Sequence, residues 1–233
     1  MDLIWHGIAD AVGLLLAADP EVVRVSVLAL GVSLSATLLA ALFGIPFGVI
    51  LALFRFPGRW VLNLLVNTGM GLPPVLVGLF ISILLWRSGP LGFLQLLYTP
   101  QAMILAQLIV AGPIVVGLTR SAITSLNDEL AESLRVCGAQ HHQVGFELVQ
   151  AARPQVRIAV VAAFGRAIGE VGASLMVGGA ILGQTRILTT AITLETSRGE
   201  FARAIALGVI LLLLSILVNV ALGYRGQVAN ERA

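Results

Sequence analysis

From Val25 to Phe54 the chain carries no charged side chain. A helix needs about 20 apolar residues to cross the hydrocarbon core of a bilayer, so this stretch alone places the chain in a membrane. Four more apolar segments follow, from Trp60 to Trp86, Pro100 to Arg120, Ile158 to Gly183 and Ala204 to Tyr224. Together they predict five spans. Gly44-Ile45-Pro46 predicts a kink in the first, and Pro113 falls inside the third. The run Gly69-Met70-Gly71-Leu72-Pro73-Pro74 interrupts the second. Broken backbone at membrane depth is tolerated only where protein or a wet cavity satisfies it. Pro73 and Pro74 therefore mark either a structural kink or the lining of a path.

The flanks are polar. Residues 1–24 hold Asp2, Asp10, Asp19 and Glu21. Their apolar run, Val12 to Ala18, is too short to span, and Asp2 has the wrong sign for a signal peptide. This segment reads as an interfacial helix ended by Pro20. Gln184 to Arg203 reads as a Thr-rich connection, and residues 225–233 as a polar tail.

Charged residues make up 11% of the chain against about 25% in a soluble domain. A net charge of +2 gives no reason to expect a nucleic-acid partner. All fourteen basic residues are Arg. Without Lys there is no P-loop and no Schiff base, so ATP-driven work would need an ATPase on another polypeptide. Cys137 is alone, which rules out an intrachain disulfide. His141 and His142 are adjacent and so fall on different helix faces, far in sequence from His6; they read as solvated surface residues, and no metal site is expected. Neither a His-Glu-x-x-His nor a Gly-x-Ser-x-Gly pattern occurs.

One long polar island, Arg120 to Arg157, stands between the third and fourth spans. Ser125-Leu126-Asn127-Asp128 reads as a helix start. Leu126, Leu130, Leu134 and Cys137 then recur at helical spacing, and Gly138 stops the helix. A second short helix, about Gln140 to Val149, sets Val144, Leu148 and Val149 against Gln143 and Glu147. Pro154 opens the next segment. With five spans, the Arg55/Arg59 turn, the island and the tail share one side. That side holds Arg55, Arg59, Arg120, Arg135, Arg153, Arg157, Arg225 and Arg232, against Arg24, Arg87, Arg186, Arg198 and Arg203 on the other. The positive-inside rule makes the island cytoplasmic.

The remaining arginine, Arg166, lies with Glu170 inside the fourth span, roughly 13 and 20 Å beyond Arg157 at helical rise. An i, i+4 spacing lets the two side chains meet. They either neutralise each other or face a water-filled path or a subunit interface. Ala162, Ala163, Gly165, Ala167, Gly169, Gly172 and Ala173 surround them, and Gly165-x-x-x-Gly169 permits close approach of a second helix. Five spans are few to enclose a solute path, which favours a pore between two copies.

Two sets of residues resemble known proteins. Glu132-Ser133-Leu134-x-x-x-Gly138-Ala139 resembles the cytoplasmic loop signature E-A-A-x-x-x-G of ABC-importer permeases, with Ser133 and Leu134 at the Ala positions. Phe164-Gly165-Arg166-Ala167-Ile168-Gly169-Glu170-Val171-Gly172-Ala173 is similar to the F-x-R-x-x-G-E-x-G-A segment of molybdate, tungstate and sulfate permeases. Leu72-Pro73-Pro74 and Gly89-Pro90-Leu91-Gly92 fit the same group. Gly183 to Ile192, followed by Leu194-Glu195-Thr196-Ser197-x-Gly199, is most similar to tungstate permeases. In order, these matches cover about residues 25 to 222.

The resemblance implies the all-α transmembrane fold of type I ABC importers, with a permease domain over residues 25–224 and a coupling loop over 120–157. It implies a multi-pass permease in the plasma membrane of a prokaryote, working as a homodimer with a cytoplasmic ABC ATPase dimer and an extracytoplasmic oxyanion-binding protein. ATP would sit on the ATPase and no cofactor on this chain. Glu132, Ser133, Leu134, Gly138 and Ala139 would couple to the ATPase. Pro73, Pro74, Gly165, Arg166, Gly169 and Glu170 would line the path or the dimer interface. Tungstate is the expected cargo, with molybdate or sulfate as alternatives. A proton-coupled anion transporter working through Glu170 is a different class. An intramembrane enzyme finds no nucleophile–base pair to support it.

Overall fold

The computed structural model describes residues 19–126 and 128–230, with positions 5, 9, 13 and 17 before them. Helices dominate, and no strand occurs among the described residues. α1 (Pro20–Leu53) begins where the sequence suggested that a helix ends. Asp19 is its N-cap: the carboxylate accepts from the Glu21 and Val22 amides, both at 3.0 Å. Pro20 then occupies the first turn, where its missing N–H costs nothing. The interfacial helix expected over 1–24 otherwise lies mostly outside the described residues. α1 also runs through Pro46 as one continuous helix. Its 34 residues span about 51 Å, well beyond the ~30 Å hydrocarbon core.

α2 (Arg59–Met70) and α3 (Pro74–Leu85) meet at a bend of 107°. The Gly/Pro interruption is thus a true break, and neither half alone is long enough to cross. α4 (Pro100–Thr124) is central, packing against α1, α7, α2, α8 and α3. α5 (Asp128–Val136) and α6 (His141–Ala151) build the polar island. α7 (Arg153–Ile168) and α8 (Gly172–Gly178) form a second broken pair, bent by 56°. α9 (Leu188–Ser197) lies in the stretch read as a connection. Its face of Leu188, Thr189, Thr190, Ala191 and Glu195 is buried. α10 (Phe201–Asn230) returns along α7 and α9. Among the described residues, three helices are long and apolar enough to cross a membrane, and up to five crossings result if each bent pair counts as one.

In lipid, helices associate through close packing rather than hydrophobic exclusion. Ala36, Ala40, Gly44 and Gly48 are all buried and form one stripe of small residues on α1. At Gly48 an added Cβ would lie 2.8 Å from the Val116 carbonyl oxygen and 2.9 Å from Thr119 Cβ. α4 can come this close only to a glycine. Gly48→Val should therefore lower the melting temperature of the purified transporter complex, since overpacking costs about 1–3 kcal/mol. Gly31→Ala on the same helix, where an added Cβ meets nothing within 4 Å, should leave it unchanged. Equal melting temperatures for the two variants would mean that α1 and α4 do not touch at Gly48.

Candidate functional site

The two helix breaks come together. α3 packs on α8 with almost no space between them. A Cβ on Gly78 would sit 2.8 Å from the Ala173 Cα, and one on Gly172 would sit 2.6 Å from Val75 Cγ2. Pro73, the N-cap of α3, and Pro74, its first residue, thereby position one break against the other. The Ser82 hydroxyl adds a bond to the Met176 carbonyl at 3.2 Å.

Glu170 lies in the second break and is 2% exposed. It is not on the helix of Arg166, as the i, i+4 reading assumed, because α7 ends at Ile168 with Gly169 as its cap. The pair still forms: Arg166 Nη1 donates to Glu170 Oε2 at 2.8 Å. The other carboxylate oxygen accepts from the Ala173 amide at 3.0 Å, in the first turn of α8. The Glu170 carbonyl accepts from the Thr189 hydroxyl at 3.0 Å, which ties α9 to the same point. One residue thus satisfies an otherwise orphaned amide, pairs a cation and anchors a third helix.

The opposite side of α7 is open. Ala162, Gly165 and Gly169 are exposed, and a Cβ built on Gly165 meets nothing within 4 Å. About a third of the Arg166 side chain, 35%, is exposed on this helix. The Gly165-x-x-x-Gly169 face therefore has no partner helix among the described residues. A second polar link lies deeper, where Gln107 Nε2 donates to Ser174 Oγ at 3.2 Å, both residues fully buried. Neither Gln107, Ser174 nor Thr189 was singled out from sequence. The available signal was Thr189, Thr193 and Thr196 at i, i+4, i+7, a helical stripe inside the stretch read as a connection.

The residues that the resemblance implies for coupling form a separate group, linked through α6 to the end of α1. Gly138 has φ +84°, the left-handed conformation that its stop signal required. The Ala139 amide closes the α5 terminus onto the Leu134 carbonyl at 3.0 Å. Leu126 and Leu134 pack on Ile123, Val144, Leu148 and Val156, whereas Leu130 and Cys137 are exposed. Glu132 and Ser133 are exposed too. A groove of about 790 Å³ runs between the two helices, lined by Leu134, Gly138, Ala139, His142, Phe146 and Glu147 among others. Phe146 is 61% and Val136 88% exposed, so apolar side chains project from this loop with little cover among the described residues. The His141 ring stacks on Phe54 at 5.6 Å, linking the loop to the end of α1. Among the described residues, no cluster of His, Cys, Asp and Glu could hold a metal ion.

A sequence model described as "Binding-protein-dependent transport system inner membrane component" matches residues 44–226. The chain belongs to that family. It is a multi-pass inner-membrane permease component of an ABC importer. It is 40% identical over 94% of its length to the tungstate uptake system permease protein TupB of Peptoclostridium acidaminophilum, covering 96% of that protein. It is 42% identical to a probable anion ABC transporter permease of Haloferax volcanii, covering 87% of this chain and 89% of that one. The fold resembles the membrane subunit of the inward-facing MetNI methionine ABC transporter, with a TM-score of 0.74 at 21% identity over 88% of this chain and 94% of that one. The all-α type I importer fold expected from the sequence is the one observed.

Two substitutions test the geometry of the break. Arg166→Met strands the buried Glu170 carboxylate and should destabilise the complex by about 2 kcal/mol. That is below the ~3–5 kcal/mol of a fully buried pair, because Arg166 is partly solvated. Glu170→Gln keeps an oxygen to accept from Ala173, so the double variant should recover most of that loss. Thermal unfolding of the four members of this cycle measures the coupling. Strictly additive losses would mean that the two side chains do not interact.

Proposed function

We propose that the chain is the permease subunit of an ATP-driven tungstate importer and forms the translocation path as a homodimer. The observation that carries the cargo is the 40% identity to a tungstate permease along nearly the whole chain. The open α7 face supports the dimer. It offers glycines for close approach and one partly exposed guanidinium to attract an oxyanion at the seam between two copies. Glu170 limits the depth of that well, since an unpaired Arg166 would hold a dianion too tightly to release it.

The cytoplasmic side follows from the arginine distribution. An ATPase subunit docks on the α5–α6 loop through Glu132, Ser133, Leu134, Gly138 and Ala139 and the exposed Val136 and Phe146. ATP binds to that subunit, and this chain holds no cofactor. Ala152 is both the C-cap of α6 and the N-cap of α7, with no linker between them. A push on the loop therefore reaches α7 and Arg166 directly. It shifts the inward–outward equilibrium only by the difference in ATPase affinity between the two states. An extracytoplasmic binding protein delivers the anion at the other end.

The proton-coupled reading is weaker. Both Glu170 carboxylate oxygens are already bonded, to Arg166 and to the Ala173 amide, so protonation would break the ion pair that steadies the helix break.

Uptake into proteoliposomes containing the permease, its ATPase and the binding protein tests the proposal. Tungstate should enter only with ATP, and sulfate should compete poorly. Accumulation driven by a pH gradient without the ATPase would overturn the class, and preferential molybdate or sulfate uptake would overturn the cargo. Gly138→Val forces a β-branched residue to positive φ. It should leave the complex in the membrane yet lower tungstate uptake per ATP hydrolysed at least about tenfold. Normal coupling in that variant would remove the loop from the mechanism.

A further inference from the structure

A pocket between the start of α2 and the end of α4 has no role in the transport cycle described above. It encloses about 490 Å³ and is lined by Arg59, Asn63, Arg120, Ser121, Thr124 and Ser125. Two guanidiniums share this cavity, no acidic side chain lines it, and neither guanidinium is ion-paired among the described residues. Arg59 Nη2 donates to the Ala52 carbonyl at 3.3 Å, which fixes its side chain against the end of α1. Arg59 Nε is buried with no hydrogen-bond partner among the described residues, and so is Asn63 Oδ1 one turn further along α2. An orphaned buried donor or acceptor is costly, and the wall of this pocket carries one of each. The Thr124 and Ser125 hydroxyls donate to the Arg120 and Ala122 carbonyls, each at 2.8 Å. The Ser125 bond covers one carbonyl in the last turn of α4, where a bare carbonyl would repel an anion.

Next to the pocket, α2 turns Trp60, Val61, Leu64 and Leu65 outward, each between 38% and 71% exposed. A Trp beside a charged pocket and above an apolar face matches the boundary between headgroups and acyl chains. We infer that the pocket binds the headgroup of an anionic phospholipid from the cytoplasmic leaflet. The Arg59 and Arg120 guanidiniums take the phosphate oxygens, and the acyl chains lie along Trp60 and Leu64. Free phosphate offers the same tetrahedral oxyanion. It brings nothing for the apolar face, so the lipid fits better. Bound there, the lipid holds the start of α2 at the membrane surface while the broken pair behind it moves.

Native mass spectrometry of the intact complex, delipidated in micelles carrying phosphatidylglycerol or phosphatidylcholine, reads the site. The native complex should retain phosphatidylglycerol selectively. Arg59→Gln and Arg120→Gln should each lower that retention about fivefold, the effect of one basic residue at a membrane surface. Arg55→Gln, on the same turn but outside the pocket, should not. Equal retention of the two lipids by the native complex overturns the inference without any variant. So does an equal loss from Arg55→Gln. Millimolar inorganic phosphate forms the third arm: if it displaces the lipid completely, or binds saturably where no lipid preference exists, the pocket is a free-anion site and the lipid assignment falls.

Discussion

A helix broken inside hydrocarbon exposes backbone groups that lipid cannot satisfy, and this protein breaks two helices at one place. The solution centres on Glu170. Its carboxylate takes the Ala173 amide at the start of α8 and the Arg166 guanidinium, and its carbonyl takes the Thr189 hydroxyl. The close approach of α3 to α8 through Gly78 and Gly172 excludes lipid from the same region. Without the carboxylate, α8 would begin on an unmet donor and Arg166 would stand as a lone charge.

That arrangement assigns the two sides of α7 different tasks. Ala159, Ala163, Phe164 and Ala167 are buried against the rest of the bundle and hold the helix in place. Ala162, Gly165 and Gly169 face outward with no partner helix among the described residues. The same helix begins at the cap where α6 ends. A rigid rod therefore runs from the loop proposed to meet the ATPase to the charged pair proposed to meet the anion. Small movements at a packed joint shift such a rod as a body, because packed interfaces have discrete arrangements rather than continuous ones.

Much of this was legible in the chain, for identifiable reasons. Long charge-free runs have few alternatives to membrane helices. Gly138 stops its helix in the left-handed conformation that Gly adopts without steric cost, and Arg166 found Glu170 because two charges in an apolar segment have little else to pair with. One expectation fails for a physical reason. Pro20 opens the first turn of α1 behind the Asp19 cap, and the interfacial helix expected before it lies mostly outside the described residues. Gln184 to Arg203 looked like a connection because its Thr residues are polar; in place, Thr193 and Thr196 hydroxyls bond to carbonyls one turn back and α9 forms.

The sequence by itself determined the membrane class, the number of apolar segments, the Gly69–Pro74 interruption and the existence of an amphipathic island between spans. These depend on local hydrophobicity and backbone preference, which neighbouring residues set. Only the tertiary structure decided that a second break falls at Gly169–Glu170 and meets the first, that Glu170 caps one helix while pairing with another, and that the Gly165–Gly169 face stays open among the described residues while Gly44 and Gly48 of α1 are filled by α4. The same small residues can serve either closed packing or an open seam. Which one they serve depends on whether another helix reaches them, and that is a property of the assembled bundle alone.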